Sequence, residues 1–326
     1  MPRSRSVPRR HDAAADESTS SFTRLYRLTR LVVQIVYGCV GVAVLFPFFS
    51  YNRRRWAIKF WSRQVLRILH LRLTVLGSLP SGHVPTLVVS NHVSWIDICI
   101  LNTVLPLRFV AKSDVRRWPL VGFLVSRVGT IFIERSNPLD TVRTNRAIEE
   151  ALIRGEHVAI FPEGTSTDGT EVKPFHASLF QPGLGAVARV VAVALRYVNS
   201  DGSVNPNASY AGERSLWESF QLVVARRSLH AELIFAGSID VSGKTRGDIA
   251  RAAECATADA LQLPRPSSKT GMAPGLPPAS SPIDTPHPVR LHSAPAPSPG
   301  VTGDREEGAR GAHPSWDREP GQDLLG

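Results

Sequence analysis

A histidine and an aspartate lie five positions apart in an otherwise apolar stretch, "SNHVSWIDICI", which begins at Ser90. If His92 lies in a turn before a helix, its imidazole can fold back onto Asp97, which would fix the tautomer and stabilise the charged ring. On one continuous helix the two side chains would be about 140° apart and would not meet. The pair therefore suits a general base, or alternatively a core histidine whose hydrogen bond is satisfied.

Polar residues also follow two other apolar runs. Arg135 follows "GTIFIE" and offers a planar fork for a phosphate. Glu163, Gly164 and Thr165 follow "HVAIFP", and a glycine turn of this kind can expose backbone N–H groups to a phosphate or an oxyanion. The chain contains no G-x-S-x-G motif, so the histidine suits direct attack by a substrate hydroxyl on an activated acyl carbon.

The spacing of the histidines, acids and cysteines does not indicate a metal site, and none is predicted. The three cysteines, Cys39, Cys99 and Cys255, are odd in number and widely spaced. This pattern is typical of reduced thiols rather than of a disulfide framework.

Short apolar runs alternate with helical patterns from about residue 72. The runs predict six strands, at 86–90, 108–112, 129–135, 157–161, 187–197 and 229–239. One helical pattern ends at Gly155 and another covers 245–263. The prediction is an α/β fold with a mixed, largely parallel sheet flanked by helices. Because parallel strands end at one edge, His92, Arg135 and Glu163 are expected to converge there.

The N-terminal region is basic and contains a long apolar run. The chain of 326 residues has a net charge of +10, and residues 1–63 hold twelve Lys and Arg against three acids. Residues 31–49 carry no charge and are just long enough to cross a bilayer. Arginines on both sides, with Pro47 near the end, favour a helix that dips into one leaflet or lies at the interface, with a transmembrane helix as the alternative. Residues 53–77 predict one amphipathic helix at a membrane surface, or else an ordinary core-facing helix.

Composition divides the chain into four segments. Residues 1–20 are polar and are predicted to be disordered, and 21–71 form the membrane-associated helical segment. Residues 72–263 form the catalytic domain. Residues 264–326 contain thirteen of the 25 prolines and are predicted to be a disordered tail.

Together these stretches resemble the 1-acylglycerol-3-phosphate acyltransferase family of glycerolipid synthesis, over roughly residues 25–262. "NHVSWID" is similar to its N-H-x4-D block, "GTIFIER" to a second block that ends in arginine, and "FPEGTS" to its F-P-E-G-T block. "VVAVALRY" stands where a fourth block is expected. The resemblance implies that His92 and Asp97 are the catalytic pair and that the acceptor is bound by Arg135, Glu163, Gly164 and Thr165.

The resemblance further implies an O-acyltransferase that needs no cofactor. Its donor would be acyl-CoA or acyl-carrier protein, and its acceptor a lysophospholipid, 1-acyl-sn-glycerol-3-phosphate foremost. It would work at the cytoplasmic membrane with the catalytic domain on the cytoplasmic side. After Thr165 the family often has arginine or a Ser-type polar residue, and this chain has Ser166 and lacks the arginine. It also departs from the family pattern at Ala192, where proline is usual. The stretch "TDG" with "PFHASLFQP" is more similar to lyso-ornithine lipid acyltransferases. A lyso-ornithine lipid is therefore the alternative acceptor.

Two functions of other classes also fit parts of the chain. A non-catalytic membrane-binding or scaffold protein would explain residues 1–63, but not the His-Asp and Glu-Gly-Thr groups. Binding of nucleic acid would use the same basic charge. Because that charge is interleaved with an apolar run, lipid is the better partner and no nucleic-acid partner is predicted. The sequence gives no oligomeric state.

Overall fold

The computed structural model describes residues 19–78, 84–134, 138–185, 189–199, 201–205, 208–209 and 216–266. Two long helices come first, α1 (Ser21–Val44) and α2 (Tyr51–Ile68), joined by a short 3-10 turn. The strands are β1 (Leu71–Leu76), β2 (Thr86–Ser90), β3 (Arg108–Lys112), β4 (Ile131–Ile133), β5 (Val158–Ile160), β6 (Arg189–Val198) and β7 (Leu229–Ile239). The later helices are α3 (Ile96–Val104), α4 (Val121–Arg127), α5 (Pro138–Ile153), α6 (Gln181–Gly185), α7 (Leu216–Val224) and α8 (Arg246–Leu261).

The seven strands form one sheet in the order β1-β7-β6-β2-β5-β3-β4. The strands β6, β2, β5, β3 and β4 run parallel to one another, whereas β7 is antiparallel to β6 and parallel to β1. The predicted fold class, a mixed and largely parallel sheet with flanking helices, is confirmed. The carboxyl ends of β2 and β5 therefore lie side by side at one edge.

Helices cover both faces of the central strands. Leu87 and Val89 of β2 pack in the apolar cluster that includes α5 and α8, whereas Val88 packs in the cluster that includes α2, α3 and α7. This alternation is the period of two that a strand imposes on its side chains. Every residue of β2 and β5 is buried, which explains why both strands are continuous apolar runs in the sequence.

The prediction of one helix over 53–77 is wrong in its second half. The helix α2 ends at Ile68, and after a turn in which His70 has φ +51 the chain enters β1, which pairs in parallel with β7. The stretch "LRLTVL" alternates apolar and polar positions over most of its length, and that period of two is the strand signal. Because the apolar positions of α2 run directly into it, the helical pattern concealed the change.

The helices predicted on either side of the sheet are present. The helix α5 ends at Ile153 and is followed by Gly155 at φ +81, as a glycine stop signal predicts. The helix α8 begins with a capping box in which the Thr245 hydroxyl accepts from the Asp248 N–H and the Asp248 carboxylate accepts from the Thr245 N–H.

The helix α1 lies against the rest of the protein along much of its length. Its Arg27 guanidinium is buried and donates to the main-chain carbonyls that follow α7, and Leu31 is buried in the core. The Trp61 indole of α2 donates to the Gln34 carbonyl at 3.0 Å. Further on, the Cys39 thiol contacts a carbonyl at the start of α4. In the described part of the chain, α1 alone is long and apolar enough to cross a membrane, but these contacts favour the interfacial alternative.

The predicted disordered segments lie almost entirely outside the described residues, which begin at residue 19 and end at residue 266. The predictions for 1–20 and 264–326 therefore stay predictions.

Candidate active site

The loop after β2 is tied firmly to the neighbouring strand. Asn91 is fully buried, its amide nitrogen donates to the Leu195 carbonyl, and its amide oxygen accepts from the Leu195 N–H, both at 2.8 Å. The side chain thereby continues the hydrogen bonding between β2 and β6 past the end of β2. This double contact fixes the backbone from which His92 projects.

His92 and Asp97 form the contact that their spacing allowed. The His92 Nδ1 lies 2.9 Å from Asp97 Oδ2, and α3 begins only at Ile96, so the histidine sits in the turn before the helix. Asp97 is fully buried, whereas the His92 side chain is 21% exposed. Because a carboxylate can only accept, Nδ1 carries the proton and Nε2 is left with a lone pair.

Backbone groups complete the contacts of Asp97 Oδ2. The Val93 and Ser94 N–H groups donate to it at 2.8 and 2.9 Å. These bonds pull the loop around the carboxylate and satisfy amides that precede α3. The sequence predicted the side-chain pair but not this backbone cage.

An aromatic ring supports the imidazole. The His92 ring stacks on Phe161, with centroids 4.1 Å apart and planes inclined by 17°. The ring centroid of Phe161 in turn lies 6.1 Å from that of Phe109 on β3. The ring of His92 is thus held by Asp97 at its edge and by Phe161 at its face, which leaves it little freedom to rotate.

The turn after β5 uses its glycine in the expected conformation. Gly164 has φ +76, a region that side chains with a Cβ rarely adopt, and its N–H donates to the Phe161 carbonyl at 3.2 Å. The sequence predicted that backbone N–H groups of this turn could bind a phosphate or an oxyanion, and the N–H of Gly164 itself is occupied within the turn. Thr165, which follows, is exposed.

Glu163, predicted to bind the acceptor, lies inside the protein between the loops that follow β2 and β5, and its role stays a prediction. It is 4% exposed, and its two carboxyl oxygens accept from the His92 and Lys173 N–H groups, each at 3.3 Å. Burial raises the pKa of Glu163 to about 8, against the lowering effect of the two N–H groups, and the charge of Asp97 adds to the rise. Glu163 therefore joins the loop of His92 to the loop after β5, mostly in its neutral form at pH 7.

A second bond between the same loops reinforces this junction. The Thr167 N–H donates to the His92 carbonyl at 2.8 Å. Both main-chain polar groups of His92 are therefore bound by the loop that follows β5. Of the three strand-end residues expected to converge, His92 and Glu163 do so, whereas Arg135 lies outside the described residues and its contact stays a prediction.

A cavity of about 1070 Å³ opens beside His92. Near the histidine it is lined by Gly164, Thr165 and Ser166, and it extends between α1 and α2, where its lining is mostly apolar. Its volume is at the upper end of the range for pockets that bind small molecules. No local pattern predicts this cavity, because its walls come from segments far apart in the chain.

Among the described residues, no group of three or more His, Cys, Asp or Glu side chains is placed to hold a metal ion. The three cysteines are free thiols, as predicted. Burial, with the charge of Asp97, raises the pKa of the Cys99 thiol to about 12, which makes it unreactive at neutral pH.

One close neighbour of Asp97 was not predicted. The Tyr197 hydroxyl on β6 donates to Asp97 Oδ1 at 2.6 Å. The two residues are 100 positions apart, and only the pairing of β6 with β2 brings them together. The quoted stretch "VVAVALRY" contained the residue, but nothing in its spacing singled it out.

Comparison with known proteins places this geometry in a family. The acyltransferase family model matches residues 72–196. The 1-acyl-sn-glycerol-3-phosphate acyltransferase of Neisseria meningitidis is 38% identical over 197 residues, which cover 60% of this chain and 77% of that protein. The lyso-ornithine lipid O-acyltransferase of Pseudomonas aeruginosa is 35% identical over 210 residues, which cover 64% of this chain and 79% of that protein.

The fold has a solved counterpart. The crystal structure of the 1-acyl-sn-glycerophosphate acyltransferase PlsC from Thermotoga maritima matches with a TM-score of 0.52 over 72% of this chain and 96% of that one, at 19% identity. That likeness concerns the fold. The sequence relatives, which are more than a third identical to this chain over most of their own length, show that the chain belongs to the 1-acylglycerol-3-phosphate acyltransferase family.

Proposed function

We propose that the chain is an O-acyltransferase that moves a fatty acyl group from a thioester donor to the hydroxyl of a lysophospholipid. The observation that carries this proposal is the His92 ring, oriented by Asp97, on the wall of a large and mostly apolar cavity. A base beside an apolar cavity suits a reaction between a hydroxyl and the carbonyl of a long acyl chain. The donor is acyl-CoA or acyl-carrier protein.

The chemistry needs only the two substrates and the base. His92 Nε2 takes the proton of the acceptor hydroxyl, and the oxygen attacks the thioester carbonyl carbon. A new C–O bond forms, the C–S bond breaks, and the thiolate takes the proton back from His92. Asp97 stabilises the positive imidazolium between these two transfers. Catalysis by a positioned base of this kind contributes typically 10²–10⁴-fold to a rate.

The exposed face of α1 supports attachment to a membrane. Val33, Tyr37, Val40 and Val44 are 60%, 61%, 55% and 55% exposed, and their spacing places them on one side of the helix. Monomeric soluble proteins rarely expose an apolar strip of this kind. In the proposal this face enters one leaflet, and the cavity between α1 and α2 receives acyl chains from it.

The charge of the neighbouring helix agrees with this placement. The helix α2 begins with Arg53, Arg54 and Arg55, which suit the anionic head groups of a cytoplasmic leaflet. Acyl-CoA and acyl-carrier protein are cytosolic, so the catalytic domain faces the cytoplasm in this proposal.

The first acceptor in the proposal is 1-acyl-sn-glycerol-3-phosphate, with phosphatidate as product. A second candidate, a lyso-ornithine lipid, is favoured by one observation. Ser166 lines the cavity beside His92 at the position where the family frequently has an arginine suited to a phosphate. Relatives named for either acceptor are of similar identity to this chain.

The test is a panel of acceptors. Purified protein in vesicles is given labelled acyl-CoA or labelled acyl-carrier protein, with lysophosphatidate, lyso-ornithine lipid or a lysolipid with a choline head group. The expected result is rapid labelling of lysophosphatidate or lyso-ornithine lipid. The control variant is His176→Ala, at an exposed histidine of the loop after β5, and it should label the acceptor at the same rate. Absence of transfer to every acceptor would contradict the proposal and support a non-catalytic membrane-binding protein.

A further inference from the structure

A tyrosine hydroxyl is buried against the side of Asp97 that does not face His92. Tyr197 is 1% exposed, and its hydroxyl donates to Asp97 Oδ1 at 2.6 Å, whereas His92 Nδ1 donates to Oδ2 at 2.9 Å. Each carboxylate oxygen therefore has its own side-chain partner. The three side chains form a continuous path from β6 through α3 to the cavity wall.

The surroundings keep this hydroxyl in the donor form. Burial first, and then the charge of Asp97, raise the pKa of the Tyr197 phenol well above its usual value. With the Val93 and Ser94 N–H groups, Asp97 receives four hydrogen bonds in a site without solvent. Three of these donors share Oδ2, whereas the Tyr197 hydroxyl is the donor on Oδ1, so the buried charge is stabilised from both oxygens.

We propose that Tyr197 is a positioning residue of the catalytic unit, which acts on His92 through Asp97. Its bond to Oδ1 fixes the plane of the carboxylate so that Oδ2 meets the imidazole. The same bond draws negative charge from the carboxylate, and this limits how strongly Asp97 stabilises the protonated ring. Tyr197 thereby sets the pH range in which His92 is an unprotonated base. The role of His92 as a base rests on the proposed acyl transfer, whereas the coupling of Tyr197 to His92 through Asp97 does not.

Other groups near Asp97 define the conditions for a test. The Cys99 thiol lies on the same helix, and the Glu163 carboxyl lies beside the His92 backbone. Their pKa values are about 12 and about 8, both raised mainly by burial. Below pH 7 both groups are mostly protonated, so a change in the His92 titration in that range reports on Tyr197 and Asp97 rather than on these neighbours.

The deciding measurement is the titration of the His92 ring by NMR, in protein labelled with ¹³C in its histidines. The His92 signal is assigned by its loss in His92→Gln. Tyr197→Phe removes only the hydroxyl, so the negative charge of Asp97 is no longer shared with that donor and stabilises the protonated imidazole more strongly. The expected result is a titration midpoint higher by roughly half a pH unit or more. The acidic limb of the kcat–pH profile should move with it, which for half a pH unit lowers kcat on that limb by about threefold, with KM within about twofold.

A matched control separates coupling from general disturbance of the core. Thr257→Val removes another fully buried hydroxyl, which donates to a carbonyl within α8 and belongs to the other side of the sheet. It should leave the His92 midpoint and the pH profile unchanged. If Tyr197→Phe likewise leaves the midpoint in place, or if both variants move it equally, Tyr197 has only a packing role and the proposal is overturned.

A second substitution covers failure of Tyr197→Phe to fold. The amino acid 3-fluorotyrosine in place of Tyr197 keeps the ring and the hydroxyl but is the stronger hydrogen-bond donor. It should move the His92 midpoint to lower pH, and an unmoved midpoint would overturn the proposal. If the midpoint moves as expected but no acceptor is acylated, the coupling stands and the proposed acyl transfer is what fails.

Discussion

Replacing Glu163 by glutamine should make the protein more stable at alkaline pH than at pH 5, relative to the wild type at each pH. The reason is the pKa of about 8 that burial gives the Glu163 carboxyl, against an ordinary value of 4.5. Between these values the unfolded chain has lost the proton and the folded chain keeps it. The folded state therefore loses stability as pH rises from about 4.5 to about 8, and the loss is complete above that.

The size of the effect follows from the distance between the two values. Between pH 5 and pH 9 the wild type should lose about 4 kcal/mol of unfolding free energy through this group, at about 1.4 kcal/mol per pH unit. Glutamine cannot ionise, so it removes this pH dependence. Its one acceptor oxygen replaces two oxygens that accept from N–H groups, and the cost of the lost acceptor is the same at every pH. For a domain of this size, 4 kcal/mol corresponds to roughly 8–16 °C in Tm.

The assay is thermal unfolding of the wild type and Glu163→Gln at pH 5 and pH 9, in the same detergent. Only the change of their Tm difference with pH is used, since other titrating groups then cancel. Glu150→Gln, at an exposed carboxylate of α5, is the control. Its Tm difference from the wild type should change far less between pH 5 and pH 9. A Tm difference that does not move in favour of Glu163→Gln between pH 5 and pH 9 would refute the reasoning, because the pKa of Glu163 would then not be raised in the folded protein.

Two further predictions concern α1. Gly38→Val should lower the unfolding free energy by about 1–3 kcal/mol, because a Cβ at Gly38 would lie 2.6 Å from the Trp61 indole nitrogen. The matched control in thermal unfolding is Gly41→Val, since nothing lies within 4 Å of a Cβ at Gly41. Val40→Asp should weaken binding to anionic vesicles at least about tenfold, since it replaces an apolar contact of the exposed face by a charge. Val142→Asp, on the exposed side of α5, should not change co-sedimentation with vesicles, and equal losses in both variants would contradict the assigned face.

The strand-end rule was sufficient to place His92 near Glu163. The two residues follow β2 and β5, and a parallel sheet brings the ends of adjacent strands together whatever the length of chain between them. The contact of His92 with Asp97 was also predictable, because it depends only on whether the helix begins before or after the histidine. Both inferences needed local patterns and one rule of topology.

The orientation of Glu163 and the position of Tyr197 were not predictable in the same way. Whether Glu163 faces solvent or the backbone of His92 depends on how two loops pack, and a sequence motif fixes neither loop. Tyr197 reaches Asp97 because of the register between β6 and β2, which no local period reveals. The strand β1 is a different case, since its alternation was present in the sequence but continued the apolar pattern of α2.

The central claim, that His92 is the base of an acyl transfer, is tested most directly by single-turnover kinetics. Wild type or His92→Gln in vesicles, in excess over the labelled acyl-CoA donor, is mixed with that donor and the best acceptor of the panel, and the single turnover of the label is timed. The account predicts a rate at least about 10²-fold lower in His92→Gln, with donor binding and thermal stability near those of the wild type. A first turnover at the wild-type rate would contradict it.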